Sequence, residues 1–270
     1  MADISAAQVK KLRDATGAGI MDCKKALTDA DADMDLAIDN LRKSGILKAE
    51  RKSGRATNEG KVAIASNDSH AAMVEVLCET DFVAKNQEFI DYTQGLAERV
   101  LADDSLNGDT EIDMDGDEKG KIGELVSKVG ENIQVRRVRR VMIEGTCGLY
   151  LHAGGKIGVI ADIKGDASAA AMQEICMGIA AYDPSWISPE DVPEDVVAKE
   201  KEIIAAQANI SEKPEEIQGK IINGKLQKWY GECCLMRQRS IRDEKQTVEK
   251  ANPGVTILSF DRWVTGEPLD

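Results

Sequence analysis

The feature that most constrains the fold is a change of hydrophobic period that occurs twice along the chain. From Lys61 the pattern has period two in "KVAIAS" and "AAMVEVLCE", which the polar turn "NDSH" joins. The helical segment "NQEFIDYTQGLAERVLA" follows, with Phe89, Leu96 and Val100 on one face. The same order returns in "GLYLHAGGKIGVIADIKGD" and "SAAAMQEICMGIAAY". Period two predicts strands and a period near 3.6 predicts helices. We therefore predict an α+β protein with a two-part core of antiparallel sheets, each with helices on one face.

The first fifty residues have helical periodicity and no strand pattern. Ser5 can cap a first helix, which the glycines of "TGAG" (16–19) end, and a second helix carries Met21 and Leu27 on one stripe. A third helix is predicted through Ile38, ending at Gly45. These three helices form a predicted small domain over residues 1–55.

Beyond the first helical region we expect two core subdomains, at 56–140 and 141–251, and a C-terminal strand and tail at 252–270. An acidic stretch from Asp103 to Glu118 is typical of a loop. Within the second subdomain, Ser188 and Pro189 favour a capped helix start, and a break at "NISEKP" separates it from "EEIQGKIINGKLQKWYGE". The prediction is an antiparallel helical hairpin at about 188–231.

Composition excludes several classes of protein. Acids outnumber bases by 48 to 35, for a net charge of −13, so direct binding of nucleic acid over a broad surface is not expected. The six cysteines form no CxxC pair, and no apolar run is long enough to span a bilayer. The first residues do not form a basic and apolar leader. We therefore expect a cytoplasmic protein without membrane contact, and with no cofactor.

Motifs for enzyme chemistry are incomplete. Gly17 and Gly19 lie between predicted helices and lack the third glycine of a dinucleotide-binding turn. Neither histidine accompanies a G-x-S-x-G sequence, and the vicinal pair Cys233 and Cys234 is explained by helix packing. No catalytic residue is predicted, and a binding protein is favoured over an enzyme.

Two acidic segments resemble calcium loops only in part. The first has aspartates at 29, 31 and 33 but Met34 where the turn glycine is required; the second has aspartates at 113, 115 and 117, with Glu124, but Glu118 at the glycine position. A solvated acidic segment explains both, so no metal site is predicted.

Two basic segments permit more than one interpretation. Residues 42–55, "RKSGILKAERKSGR", can be a solubilising helix end or linker, or a contact for an acidic partner. "VRRVRR" has the alternation of a strand, which is expected to place its arginines on a solvent or interface face.

The stretch "LCETDFVAKN" places Phe82, one of three phenylalanines, beside Asp81 directly after a predicted strand. Packing in the core under a helix start is one explanation. Exposure at the mouth of a turn, where an aromatic ring can bind a partner, is the other.

Four motifs occur in the order typical of one protein family. They are "VKKLRDATGAGIMDCKKAL" (Val9–Leu27), "ETDFVAKN" (Glu79–Asn86), "GENI" (Gly130–Ile133) and "EDVPEDVVAKEKEI" (Glu190–Ile203). Over nearly its whole length the sequence resembles elongation factor Ts. The resemblance implies a guanine-nucleotide exchange factor that binds elongation factor Tu, in its GDP-bound and nucleotide-free forms, and releases GDP by disturbing the magnesium and phosphate site. It also implies an N-terminal domain like the ubiquitin-associated (UBA) fold and a protruding antiparallel coiled coil.

The resemblance also implies which residues bind the GTPase. At the turn these are Asp81 and Phe82, with Thr80 and Val83 beside them; in the N-terminal domain they are Arg13, Ile20 and Met21; in the second core half the contact is His152. The residues alone leave alternatives open, since Ile20 and Met21 can be core residues and His152 an ordinary turn histidine.

The segment after "TV" departs from the family, because Pro253 and Gly254 disfavour the usual C-terminal helix. Two other functions remain open from the sequence. A ubiquitin-type or peptide-binding adaptor would explain residues 1–50 but not the doubled core, and an enzyme with a metal in the acidic loop would require tight binding of magnesium or calcium.

Overall fold

The computed structural model describes residues 4–110, 117–207 and 214–269. It is a mixed α+β structure with two small antiparallel sheets, as the sequence predicts. Its contacts divide the chain into two compact units. The first comprises Met1–Met142, Gly154–Lys156 and Val264–Asp270; the second comprises Ile143–Ala153 and Ile157–Trp263.

The first unit begins with three helices, α1 (Ala6–Thr16), α2 (Ile20–Asp29) and α3 (Met34–Lys52). Ser5 caps α1 in a capping box with Gln8, and Gly17 ends it in the left-handed conformation that glycine adopts at little cost. Their shared core is made of small and aliphatic side chains, among them Leu12, Cys23 and Leu27. The predicted stripe of α2 is wrong at one position, because Met21 lies outside this core.

The prediction that the third helix ends at Gly45 is wrong, since α3 continues to Lys52. A glycine that ends a helix usually adopts the left-handed conformation just after the last turn. Gly45 instead lies within α3, where it faces another helix, α6 (Asp117–Val129). A Cβ at Gly45 would lie 2.7 Å from the carbonyl oxygen of Gly123, so the two helix backbones touch there. Most of the basic segment 42–55 is therefore helical. Ile38, through which the sequence predicts this helix, is exposed, and the neighbouring Ala37 is buried.

A four-stranded sheet of order β1-β2-β4-β3 completes the first unit. Its strands are β1 (Glu59–Ser66), β2 (His70–Cys78), β3 (Gly108–Thr110) and β4 (Gln134–Met142). The predicted hairpin is confirmed, with Glu59 opposite Cys78 and Ser66 opposite Ala71. The predicted loop at 103–118 is wrong in part, because β3 pairs with β4 and α6 begins at Asp117; residues 111–116 lie outside the described ranges.

Two further helices of the first unit follow β2. A single turn, α4 (Asp81–Ala84), precedes α5 (Gln87–Ala102), whose predicted apolar face is confirmed: Phe89, Thr93, Leu96 and Val100 are buried. Phe89 packs in one core with Val74 and Val76 of β2 and Leu125 of α6. The end of β2 and the start of α5 are thereby fixed, and the turn between them is held at both ends.

The arginines of "VRRVRR" do not form a solvent face. Arg136 and Arg137 each form an ion pair with Glu75 of β2, which is completely buried, at 3.2 and 2.6 Å. Arg140 is buried as well and donates to the carbonyl of Leu101 and to Asp104. A buried carboxylate requires such partners, and the sequence places Glu75 about sixty residues before them, out of reach of a local pattern.

The second unit contains the three-stranded sheet β5-β6-β7, with β5 (Thr146–His152), β6 (Ile157–Lys164) and β7 (Thr256–Val264). The hairpin of β5 and β6 and the following helix α7 (Ala169–Tyr182) are confirmed. Val159 and Ile163 of β6 pack with Ile175 and Ile179 of α7 in a common core.

Two longer helices of the second unit, α8 (Glu194–Gln207) and α9 (Glu215–Cys233), pack against each other through a small core that includes Ile204 and Leu226. Ser188 and Asp191 do form a capping box, but it belongs to a 3-10 turn at Pro189–Asp191. Most of the break "NISEKP" lies outside the described residues. The last helix, α10 (Val248–Ala251), has a single turn and ends before Pro253.

Candidate functional site

The candidate site is centred on the Phe82 turn, which we define as residues Glu79–Lys85. Phe82 is 81% exposed, whereas Phe89, seven residues later, has no exposed surface. The interpretation of Phe82 as a core residue is therefore wrong. Full burial of a phenylalanine contributes about 1.5–3 kcal/mol, and Phe82 does not gain this stabilisation within the chain itself.

The turn orients Phe82 through its own short helix. Thr80 is the N-cap of α4, and its hydroxyl accepts a hydrogen bond from the backbone N–H of Val83 at 3.4 Å. Val83 and Ala84 are buried in the core with Phe89. Because these neighbours face inward, the ring of Phe82 lies on the opposite, outer side of the single helical turn.

Asp81 is already paired within the turn. The ammonium group of Lys85 donates to Asp81 Oδ2 at 2.7 Å, and this hydrogen bond lowers the pKa of the Asp81 carboxyl. Both side chains are substantially exposed, so solvent screens the pair and its contribution to stability is small. A partner that uses Asp81 as a hydrogen-bond acceptor must compete with Lys85.

The "GENI" segment (Gly130–Ile133) supports the turn, a role that the sequence did not reveal. Glu131 Oε2 accepts hydrogen bonds from the backbone N–H groups of Glu79 and Thr80, at 3.1 and 2.9 Å, and Oε1 accepts from the Thr80 hydroxyl at 2.6 Å. In return, the N–H of Asn132 donates to Glu79 Oε1 at 2.7 Å. That bond, with the nearby guanidinium of Arg55, lowers the pKa of the Glu79 carboxyl.

A second exposed apolar surface lies at the start of α2. Ile20 and Met21, which we call the α2 patch, are 55% and 75% exposed, so the interpretation of both as core residues is wrong. Gly19 is the N-cap and supplies no side chain to the helix start. Arg13, in the last turn of α1, is exposed, and its carbonyl accepts from the N–H of Gly17 at 2.7 Å.

His152 belongs to the second unit. It is the last residue of β5, it is exposed, and its Nδ1 lies 3.0 Å from the hydroxyl of Tyr150. The two rings are 6.0 Å apart between centroids. This contact orients the imidazole. The contacts described for His152 include no carboxylate and no cysteine.

Metal-ligating side chains do not converge in the described ranges. Over residues 4–110, 117–207 and 214–269, no group of three His, Cys, Asp or Glu residues is placed to hold a metal ion. In the first candidate calcium loop, Asp33 instead caps α3 by accepting from the N–H of Leu36. Asp113 and Asp115 of the second candidate lie outside the described residues.

Among the helices that the structure describes, none is both long and apolar enough to cross a membrane.

Comparison with known proteins agrees with the motifs. The family model described as elongation factor TS matches residues 79–267. The elongation factor Ts of Photobacterium profundum is 44% identical over 275 residues, covering 100% of this chain and 94% of its own length. The elongation factor Ts proteins of Psychromonas ingrahamii and Halothermothrix orenii are 45% and 40% identical, each covering 99% of this chain and 92% and 94% of their own lengths. The chain belongs to the elongation factor Ts family.

Proposed function

We propose that this protein is a guanine-nucleotide exchange factor of translation elongation, which binds elongation factor Tu with GDP and promotes GDP release by disturbing its magnesium and phosphate site. Membership of the elongation factor Ts family supports the role in elongation. The observation that carries the exchange mechanism is the exposure of Phe82 on a turn held by hydrogen bonds to the carboxylate of Glu131.

An exposed ring on a held turn is suited to act as a wedge. Its insertion between packed elements of a partner displaces them, because close-packed interiors transmit a local shift. The ring gains its burial energy only in the complex, and little conformational entropy is lost because the turn is already ordered. No bond of GDP has to break, so this function needs no catalytic residue and no chemical turnover.

Phe82 alone does not supply enough free energy for strong exchange. Full burial of a phenylalanine contributes about 1.5–3 kcal/mol. A ten-thousand-fold weakening of GDP needs roughly 5.5 kcal/mol of differential binding, and by linkage GDP weakens the factor by the same ratio. Additional contacts are therefore required. We assign them to Arg13 and the α2 patch in the first unit, and to His152 in the second.

The residues around Phe82 divide the work of the turn. We propose that Asp81 accepts a hydrogen bond from the partner, or orients the turn, after exchanging its bond with Lys85. Thr80 and Val83 contribute from beneath, since the hydroxyl of Thr80 binds Glu131 and the side chain of Val83 is buried.

The family also supports finer structural assignments. We propose that the three helices α1 to α3 are a UBA-like domain within residues 1–55, and that α8 and α9 form the family's protruding antiparallel coiled coil, within about 188–231. We also propose core subdomains at 56–140 and 141–251 and a C-terminal segment at 252–270. The proposed place of action is the cytoplasm.

The test is stopped-flow release of a fluorescent GDP from elongation factor Tu. The unsubstituted protein should accelerate release strongly, and Phe82→Ala should lose at least about tenfold of that acceleration while its melting temperature is unchanged, because the removed ring contacts mainly water. Met142→Ala is the matched control, since Met142 is also an exposed apolar residue of the first unit. No acceleration by the unsubstituted protein would overturn the proposed function; full activity of Phe82→Ala would overturn the wedge alone.

A further inference from the structure

Glu79 and Glu131 hold two chain segments together by reciprocal bonds. The side chain of Glu131 binds the backbone of Glu79 and Thr80, and the side chain of Glu79 binds the backbone of Asn132. The segments are more than fifty residues apart in sequence. Charge-assisted hydrogen bonds of this kind are about twice as strong as neutral ones, and two in opposite directions fix both separation and orientation.

A third segment joins the same junction. The side-chain amide of Asn132, which is buried, donates to the carbonyl of Arg55 at 2.9 Å and to that of Ser53 at 3.4 Å. The ammonium group of Lys52 donates to the carbonyl of Gly130, and the guanidinium of Arg55 lies 3.3 Å from Glu79 Oε1. The end of α3, the "GENI" segment and the Phe82 turn are therefore tied to one another by polar contacts.

These bonds act on the backbone directly before Phe82. Glu79 and Thr80 are the two residues between the end of β2 and the first residue of α4. Their N–H groups point at one carboxylate oxygen, Glu131 Oε2, which sets the direction in which the chain enters the helical turn. Val83 and Ala84 pack in the apolar core and fix the position of the turn. Glu131 fixes the direction of the backbone that leads into it.

We propose that Glu131 is a positioning residue for nucleotide exchange, which acts on the partner only through Phe82 by holding the turn in the orientation that inserts the ring. This inference rests on the proposed function and deepens it. Glu131 does not touch the nucleotide. Its effect on exchange comes from preorganisation, since a misplacement of about 1 Å at a binding group can cost up to a hundredfold in rate.

A double-mutant cycle separates positioning from general destabilisation. Glu131→Ala should lower the rate of GDP release at saturating factor roughly tenfold when Phe82 is present. In the Phe82→Ala background the same substitution should change the rate by less than about twofold, because residues that act through one another are not additive. Glu118→Ala is the control. Glu118 accepts from Tyr92 and Arg99 in the same unit, and its removal should lower stability with an equal effect on exchange in both backgrounds.

The conservative variant provides a rescue. In Glu131→Gln the amide oxygen can accept from the two backbone N–H groups, and the amide nitrogen can donate to the Thr80 hydroxyl. This variant should retain most of the exchange activity that Glu131→Ala loses.

Amide hydrogen exchange gives a readout that needs no partner. The amides of Glu79 and Thr80 should lose protection by roughly a factor of ten in Glu131→Ala and keep most of it in Glu131→Gln, while the amides of β2 stay protected. Unchanged protection at both amides, or an equal loss of nucleotide release with and without Phe82, would overturn the inference. If the unsubstituted protein does not accelerate GDP release from elongation factor Tu, the proposed function itself is overturned. This measurement is made before any substitution at Glu131, so the two failures are distinguishable.

Discussion

The Phe82 turn and the α2 patch both expose apolar side chains at the start of a helix, but they are supported in different ways. The turn is held by its own N-cap, Thr80, and by Glu131 from another segment, whose carboxylate accepts from the backbone N–H groups of Glu79 and Thr80. The α2 patch has no side-chain cap, because Gly19 occupies that position, and the same helix contributes Cys23 and Leu27 to the three-helix core.

Under the proposed function, this difference predicts two kinds of partner contact. A single ring whose direction is set by directional hydrogen bonds suits insertion at a defined angle, since hydrogen bonds weaken steeply when misaligned. Two flexible aliphatic side chains over a packed core suit a face that adapts to a partner, because hydrophobic contact is non-directional. We therefore expect substitutions beneath the patch to act through packing and substitutions beneath the turn to act through polar contacts.

The largest expected effect is at the packing beneath the α2 patch. Leu27→Ala removes a completely buried side chain from the three-helix core and should cost about 2–5 kcal/mol of unfolding free energy. Leu36→Ala, at an exposed position of α3, is the matched control and should stay within about 0.5 kcal/mol. Urea unfolding combined with amide exchange of the α2 amides measures both. Equal losses of unfolding free energy in Leu27→Ala and Leu36→Ala would contradict the assignment of this effect to packing in the three-helix core.

An intermediate effect is expected at the polar support of the turn, and it depends on pH. Because the folded-state pKa of Glu79 is lowered, its ionised form stabilises the fold above the ordinary pKa near 4.5. That stabilisation is lost as the pH falls through the lower folded-state value. Glu79→Gln keeps an oxygen acceptor but does not titrate, so it should be less stable than the unsubstituted protein near neutral pH.

The measurement is the urea midpoint of both proteins between about pH 7 and about pH 3. The gap between them should narrow once the pH drops below the ordinary pKa of the glutamate. A gap that stays constant over the whole range would contradict the assignment of this pH dependence to Glu79.

The smallest expected effect comes from giving the α2 patch the kind of support that the turn has. Gly19→Ser places a hydroxyl at the N-cap of α2, and the backbone there already has the extended conformation that a capping serine adopts. The gain should be a few tenths of a kcal/mol. Gly19→Ala lacks the oxygen and should be less stable than the serine variant by calorimetry. If alanine stabilises equally, the gain comes from the unfolded chain and not from capping.

Local patterns were sufficient for most of the secondary structure. The alternation in β1 and β2 predicted the hairpin, and the spacing of Phe89, Leu96 and Val100 predicted the buried face of α5. Those signals are carried by neighbours in sequence, and the tertiary structure uses them without change.

The failures share one physical cause, which is contact between residues distant in sequence. Gly45 is a typical helix stop in isolation, but in the structure its missing side chain serves the approach of α6. "VRRVRR" is a typical solvent-facing strand until Glu75 is placed beside it. Exposure of Phe82 is one of two alternatives from the residues, and only the family resemblance favours it. The support by Glu131 could not be expected at all, because its bonds span about fifty residues.

The contact of Gly45 with Gly123 has a consequence for how the helical region can vary. At this crossing the spacing between α3 and α6 is set by backbone atoms, with a Cβ on Gly123 only 2.7 Å from the backbone nitrogen of Ile46. Side chains can change rotamer to absorb a mutation, but main-chain atoms in van der Waals contact cannot. The backbone contact therefore fixes the distance between α3 and α6 at this crossing. Substitutions of the surrounding side chains leave that distance unchanged, whereas a single methyl group at either glycine would increase it.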